Sequence, residues 1–448
     1  MKAPVTITAT HDRIMANEAA AVRMIAELSA KAGPAVITPI EAGILRRDLR
    51  AAAKGPLTGV PFVVKDNIDA LPFPTTGGSS ALANHIPSQD ATVVAQLRTA
   101  GAVMIGKTGL HELACGVTGN NAAQGAVRCP HEPRRIAGGS SSGTAAAVAW
   151  GIAPFGLGTD TGGSIRIPAA FCSVVGFRPS TGRYSCEGVL TVSATRDTIG
   201  IIGSQVSDVA LVDGILTADE PVALRRAPRI GLLDGGKGGL SHLVDQAILD
   251  AARQLERAGC TIVPVAFPGF QSADDDFGNV ITFFEASEIW RSFAAATLDL
   301  DFGNFTKTIA SPDVHAIFAA MSELPDSLNR DYVSALLARR HLIDAYERIF
   351  RANDLDVLAM STVLVPPPLV GEDTQFLANG VNLPTFATLT RHSAPASIAG
   401  IPSISIPLPL RDGLPIGLQL EGRRYGDRSL LAVAKLAEET IGILAKAH

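Results

Sequence analysis

Short apolar runs alternate with amphipathic stretches along most of the chain. "VPFVV" (60–64) is an unbroken β-branched run, which predicts a buried strand. "SQDATVVAQLRTAG" (88–101) has helical spacing, with Ser88 as candidate N-cap and Gly101 as C-cap. "AVMIG" (102–106) is the next strand; "TAAAVAWG" then opens a helix, and "APFGLGTD" (153–160) returns as a strand. "SDVALVDGILTA" predicts a helix and "RIGLLD" (229–234) a strand. Nearer the start, the spacing predicts an amphipathic helix over 16–32, stopped at Gly33. Further on, a helix over 243–259 leads into the strand "TIVPVAF", and a mostly helical excursion covers 277–352. Strands return at 356–361, 402–408 and 416–422, and a closing helix starts near 427.

Alternation of this kind predicts an α/β fold: a large mixed, mostly parallel β-sheet covered by helices on both faces. Repeats, low-complexity tracts and a convincing linker are all missing. The reading is therefore one domain over 1–448, with a catalytic core at about 55–235 and the helical excursion at about 277–352.

Composition narrows the function. The 448 residues are 47% hydrophobic and 18% charged, enough apolar surface for a substantial core. The net charge is -5, no basic run tracks a phosphate backbone, and aromatics are 5%, so no nucleic-acid partner is expected. The five cysteines are an odd number with no CxxC spacing, which points away from a disulfide framework or zinc site and toward a reducing cytosol. No signal-like apolar segment and no uncharged apolar 18-mer occur, so the expectation is a cytoplasmic protein without a membrane partner.

Two motifs match by letter only. "GAVMIGKT" (101–108) fits the phosphate-binding G-x-x-x-x-G-K-[ST] pattern. That mechanism needs strand, then glycine loop, then helix; here a helix ends at Gly101 and the intervening residues form a strand, leaving Lys107 just past its end. "GSSSG" (139–143) fits a nucleophile elbow centred on Ser141. The charged, proline-containing "HEPRRIAG" before it is poor strand material, and His315 and His341 lie in ordinary helical pattern.

A third constellation is chemically coherent. Ser164 follows Ser140 by 24 residues and sits behind Thr161-Gly162-Gly163, whose glycines let backbone N–H groups converge on an oxyanion. Lys65 closes the strand "VPFVVK", where partial desolvation lowers an ammonium pKa and makes a neutral amine accessible. Lysine, Ser140 and Ser164 thus supply base, relay and nucleophile without a histidine.

These pieces resemble the amidase signature family of serine amidohydrolases. The resemblance rests on "GVPFVVKDNID", "TAGAVMIGKTGLHE", the block from "IAGGSSSGTAAAVAW" to "RPSTGRYS", "TRDTIGIIG" and "HSAPASIAGIPSISIPLPLRDGLPIGLQLEG". It implies that Lys65 is the catalytic lysine and that Ser140 is the relay serine, after a cis Gly139–Ser140 bond. Ser164 would be the acylated nucleophile, with Thr161, Gly162, Gly163 and Ser164 as the oxyanion hole. Ser141 would support Lys65 or the loop, Ser142 stands where the family more often has glycine, and Asp160 and Arg166 form a charged support pair. Within the family, "HELACGVTGNN", "GAVRCPHEP" and "TGRYSCEGVLTVSATRDTIGII" look most like bacterial indoleacetamide and mandelamide hydrolases. That implies an aryl-substituted primary amide as substrate, Ala114 and Thr118 near an apolar acyl pocket without a charged anchor, and no cofactor or metal. A homodimer is compatible with the chain. Phe283, Phe284, Trp290 and Phe293 could roof the pocket or form core. Open alternatives are the glutaminase-like subunit of a tRNA-dependent amidotransferase and an amidase for aliphatic amides.

Overall fold

The computed structural model describes residues 5–324 and 328–442. Eleven strands form one mixed sheet. In chain order they are β1 (Val36–Pro39), β2 (Pro61–Lys65), β3 (Val103–Thr108), β4 (Phe155–Asp160), β5 (Val175–Arg178), β6 (Thr198–Gly203), β7 (Arg229–Leu233), β8 (Thr261–Val265) and β9 (Val357–Ser361). A separate hairpin, β10 (Gln375–Ala378) and β11 (Val381–Pro384), precedes β12 (Ser403–Pro407) and β13 (Gly417–Glu421), which complete the large sheet. The order across it is β1-β3-β2-β4-β6-β5-β12-β13-β9-β7-β8.

The mixed sheet between helical layers is the expected architecture, but its balance is not mostly parallel. Parallel pairing is confined to β3-β2-β4 and β8-β7-β9. Every other neighbour pair is antiparallel. Half of these pairings come from β5 and β6, which the pattern did not single out and which run antiparallel to their neighbours in the middle of the sheet.

Strand burial explains the sequence. β2, β3, β4, β6, β12 and β13 are buried at every position, hence their continuous apolar runs. On one face Phe62 and Phe155 stack with ring centroids 5.6 Å apart, both fully buried. The other face takes the helix Ser142–Ala149, buried at all eight residues. Its small side chains are required by close approach: a Cβ on Gly156 of β4 would fall 2.7 Å from Thr144 Cγ2.

Several boundaries move for identifiable reasons. The helix expected from Ser88 is Thr92–Thr99, with Ala91 as an N-cap that makes no side-chain bond. The Ala91 N–H instead donates to the Asp69 carbonyl at 2.9 Å, holding the preceding residues extended against the 69–71 loop. β3 runs on to Thr108, so Lys107 lies inside the strand, not past it. Nor does the excursion form one helix. It begins as a π-helical turn, Asp274–Gly278, and continues as Asn279–Leu298, Phe302–Thr306, Pro312–Ser322 and Leu328–Ala352. Helix Ile7–Ala16 and edge strand β1 were not foreseen, nor was Arg166–Cys172, which admits Pro168 in its first turn. Among the described residues no helix is long and apolar enough to cross a membrane.

Phe155→Ala should destabilise the protein by about 3–5 kcal/mol through a cavity in the stacked core. Leu377→Ala, on the exposed hairpin, should stay within about 0.5 kcal/mol. Chemical denaturation midpoints of the two variants check this; equal midpoints would refute the packing account.

Candidate active site

Lys65 is the last residue of β2 and Asp160 the last of β4. The two strands are parallel neighbours, so both segments leave the sheet at the same edge, where open α/β sheets place their chemistry. Lys65 is fully buried, and its Nζ lies 2.8 Å from Ser140 Oγ and 2.7 Å from Thr159 Oγ1. Asn67 Nδ2 donates to the same threonine oxygen at 3.2 Å. Burial pulls the Lys65 pKa down to about 7, against the opposing fields of Asp197 and Asp160.

Of the three serine-loop hydroxyls, that of Ser140 is the one that meets Lys65. The Gly139–Ser140 bond is cis, and the Ser140 carbonyl accepts from the His111 N–H at 3.2 Å. Ser141 is fully buried; its hydroxyl donates to the Thr159 carbonyl and accepts from the Thr159 N–H, while its own N–H donates to the Ser164 carbonyl at 3.1 Å. Ser141 therefore ties the loop to β4 and Ser164 and does not touch Lys65. No strand feeds it, so the elbow geometry is not there. Ser142 packs against Gly119, whose hypothetical Cβ would lie 2.6 Å from its Cβ. Thr144 Oγ1 lies 2.7 Å from Thr108 Oγ1 in the first turn of the helix.

The turn carrying Ser164 is organised by Asp160. Its carboxylate accepts from the Gly163 N–H at 2.9 Å and the Ile165 N–H at 3.2 Å. It also pairs with Arg166 at 3.0 Å and with Arg178 at 3.2 Å, all three side chains being fully buried. Burial pushes this carboxyl up, yet the two guanidinium groups outweigh it and hold the pKa well below the usual range. The support pair expected at Asp160 and Arg166 is thus a triad with Arg178. Since the Gly163 N–H serves Asp160, the N–H groups free of protein acceptors in this turn, among the described residues, are those of Thr161, Gly162 and Ser164. Gly163 has φ +131 and meets the Ser393 side chain where a Cβ would stand, so only glycine fits.

A cavity of about 520 Å³ opens above Ser164. Ala114, Val117, Val192, Phe283, Ile317 and Phe386 give it an apolar lining, and Thr118 also faces it. Of Phe283, Phe284, Trp290 and Phe293, Phe283 alone lines it. Trp290 stacks on Phe305 at 5.6 Å and meets Phe293 edge-on, and Phe284 stacks on Tyr332. The cavity is not free of charge: Asp274, Asp313, Asp373, His111 and Arg196 line it too. Arg196 was within reach of the sequence, in "TRDTIGIIG"; the three aspartates come from distant segments with no local signal. Cys115 also lines the cavity, but burial pushes its thiol up to about 12, leaving no thiolate to react. His111 is engaged at both nitrogens, with Thr118 Oγ1 at 3.2 Å and Asp313 at 3.0 Å. Lys107 donates to the Ile68 carbonyl at 2.6 Å and faces Asp66 at 3.3 Å, within the strand, so residues 101–108 form no phosphate loop. Among the described residues no cluster of His, Cys, Asp and Glu could hold a metal.

The sheet, the buried lysine and the serine turn together describe a hydrolase scaffold. The chain belongs to the amidase signature family: the Amidase family model matches residues 41–431. Indoleacetamide hydrolase from Agrobacterium vitis is 35% identical over 427 residues, covering 92% of this chain and 91% of that protein. Mandelamide hydrolase from Pseudomonas putida is 36% identical over 407 residues, covering 86% and 79%. A solved chain of the glutamyl-tRNA(Gln) amidotransferase from Thermotoga maritima superposes with a TM-score of 0.73 at 28% identity, covering 92% and 90%. The protein is an amide hydrolase.

Asp160→Asn should cost about 3–5 kcal/mol, since it leaves two buried guanidinium groups without their counter-charge. A denaturant titration measures this, and a loss below about 1 kcal/mol would show that the triad does not organise the turn.

Proposed function

We propose that the protein hydrolyses a small, aryl-substituted carboxamide to a carboxylate and ammonia through a Ser-Ser-Lys acyl-enzyme mechanism. The observation that carries the reading is the fully buried Lys65 amine, 2.8 Å from Ser140 Oγ and with no carboxylate in contact. Neutral Lys65 takes the Ser140 proton as Ser140 takes that of Ser164. Ser164 Oγ then bonds to the amide carbon, and the Thr161, Gly162 and Ser164 N–H groups stabilise the oxyanion. The lysine proton returns through Ser140 to the leaving nitrogen. The C–N bond breaks, ammonia departs and an ester remains on Ser164. Water attacks that ester, delivering its proton along the same relay. The ester bond breaks, Ser164 is reprotonated and the acid leaves. Thr159 and Asn67 orient the lysine, and Ser141 holds the relay loop to the nucleophile.

The substrate class is supported by the apolar part of the cavity, including Ala114, and by the two hydrolases named above. The amidotransferase chain keeps a second reading alive, that of a glutaminase-like subunit, but its identity to this chain is lower than theirs.

Lys65→Ala should remain folded and lose at least about 10²-fold in kcat, the usual effect of a positioned general base. In the wild type the neutral amine is the active form. The rate should therefore rise tenfold per pH unit below the Lys65 pKa of about 7 and level off above it. A Lys65→Ala protein with near-normal turnover, or a rate falling through pH 7, would refute the mechanism.

Burying roughly 100 Å² of aryl surface contributes about 2.5 kcal/mol at about 25 cal/mol per Å². The isolated chain, without ATP or tRNA, should therefore hydrolyse phenylacetamide with a kcat/KM about 30- to 150-fold above that for acetamide. Steady-state ammonia release on phenylacetamide, indoleacetamide, acetamide, malonamate and glutamine tests this. Preference for malonamate or acetamide would overturn the aryl reading, and glutamine alone would favour the amidotransferase.

A further inference from the structure

Asp373 stands out among the charged groups of the cavity. Asp274 is held by Arg196 at 3.1 Å and Asp313 by His111 at 3.0 Å, whereas Asp373 makes no ion pair among the described residues. Its Oδ1 accepts from Thr118 Oγ1 at 2.7 Å and from Asn120 Nδ2. No hydrogen bond within the described residues reaches its Oδ2. The residue is half-buried and precedes β10; Thr374 beside it, Pro384 at the end of β11 and Phe386 just after it line the same cavity as Thr118 and Val117. The acceptor is held in place from one side by Thr118 and Asn120, with its second oxygen unmatched in the protein. The second oxygen is open to the cavity, so a ligand that supplies a donor there gains a charge-assisted hydrogen bond.

We propose that Asp373 is a specificity-determining residue whose free carboxylate oxygen accepts a hydrogen bond from a neutral N–H at the far end of the substrate's aryl group. The proposal rests on the arylamide reading and goes beyond it. It assigns the substrate a donor-bearing heteroaromatic ring, where the sequence implied a pocket with no charged anchor. Val117, Pro384 and Phe386 in the same cavity lining offer apolar surface for the ring faces, so a neutral donor suits the position better than a solvated ammonium. Acyl groups that end in a carboxylate meet like charge there.

The test compares indole-3-acetamide with 1-benzothiophene-3-acetamide, the same bicycle with sulfur in place of the N–H. In the wild type kcat/KM should favour the indole by at least about 10-fold, the scale of one hydrogen bond to a charged acceptor. In Asp373→Ala the ratio should fall to within about twofold. Asp373→Asn, which preserves size and one acceptor oxygen, should fall between. A merely structural clasp would lower both substrates alike and leave the ratio unchanged, and that result overturns the proposal. So does equal use of the two bicycles by the wild type, with the arylamide reading still standing. 4-(Aminomethyl)phenylacetamide outrunning indole-3-acetamide would assign the oxygen to a cation and overturn the neutral-donor proposal. Failure to hydrolyse any arylacetamide removes the substrate reading and this inference with it.

Discussion

One buried carboxylate, Asp160, fixes where everything else in the site must stand. Its two oxygens receive the Gly163 and Ile165 N–H groups from the nucleophile turn and the guanidinium groups of Arg166 and Arg178 from a helix and a strand. Three fully buried charges are tolerable because both guanidinium groups face the one carboxylate, and that pairing dictates the fold locally. Arg166 must follow the turn closely enough to reach back. Arg178 must cross from β5, and the turn must contain a glycine because Ser393 occupies the space beside Gly163. Arg166 extends the arrangement to Ser397 at 2.7 Å and Gln419 at 3.3 Å, so β13 and the helix Ala394–Ala399 hang on the same carboxylate.

A second arginine carries this constraint outward. Arg196 donates to the Thr161 carbonyl at 3.1 Å and, from the same guanidinium, to Asp274, the Gly278 carbonyl and Thr282. Those last three belong to the π-helical turn and the start of the helix that also bears Phe283. The turn that bears Ser164 and the cavity wall that bears Phe283 are therefore held by one planar cation with fixed donor directions. π-Helical turns are rare and costly, and they concentrate at functional positions; here the turn aims two acceptors at Arg196.

Lys65, Ser140 and Ser164 could be read from the sequence because each announces itself locally. A lysine ends an apolar run, and hydroxyls sit among glycines ahead of helical alanine. Asp160 and Arg166 were legible by adjacency, and Arg178 was not, because its partner is 18 residues away and the link exists only once β5 and β6 enter the sheet. Those two strands hide in glycine-containing segments, "VGFR" and "TIGIIG", whose apolar signal is short. Asp373 is the extreme case: its contacts with Thr118 and Asn120 span 255 and 253 residues. The Ser88 cap failed for the opposite reason, a sound local signal overruled by a backbone bond to Asp69.

Lys107 shows why local sequence cannot by itself name a base. It and Lys65 lie on neighbouring parallel strands, both fully buried, and burial lowers the pKa of both. Their surroundings differ in kind. Lys107 has the Asp66 carboxyl at 3.3 Å, which opposes the fall in pKa, and donates to the Ile68 carbonyl at 2.6 Å. Lys65 touches only the hydroxyls of Ser140 and Thr159, groups that can donate as readily as they accept. At position 107 the amine shares its site with a carboxyl whose own pKa burial raises, so the two groups titrate as a pair. At position 65 a neutral amine loses nothing, because Ser140 can turn its hydroxyl toward the lone pair. The two lysines thus differ in the protonation options of their neighbours: a carboxylate stands beside Lys107, and only hydroxyls touch Lys65.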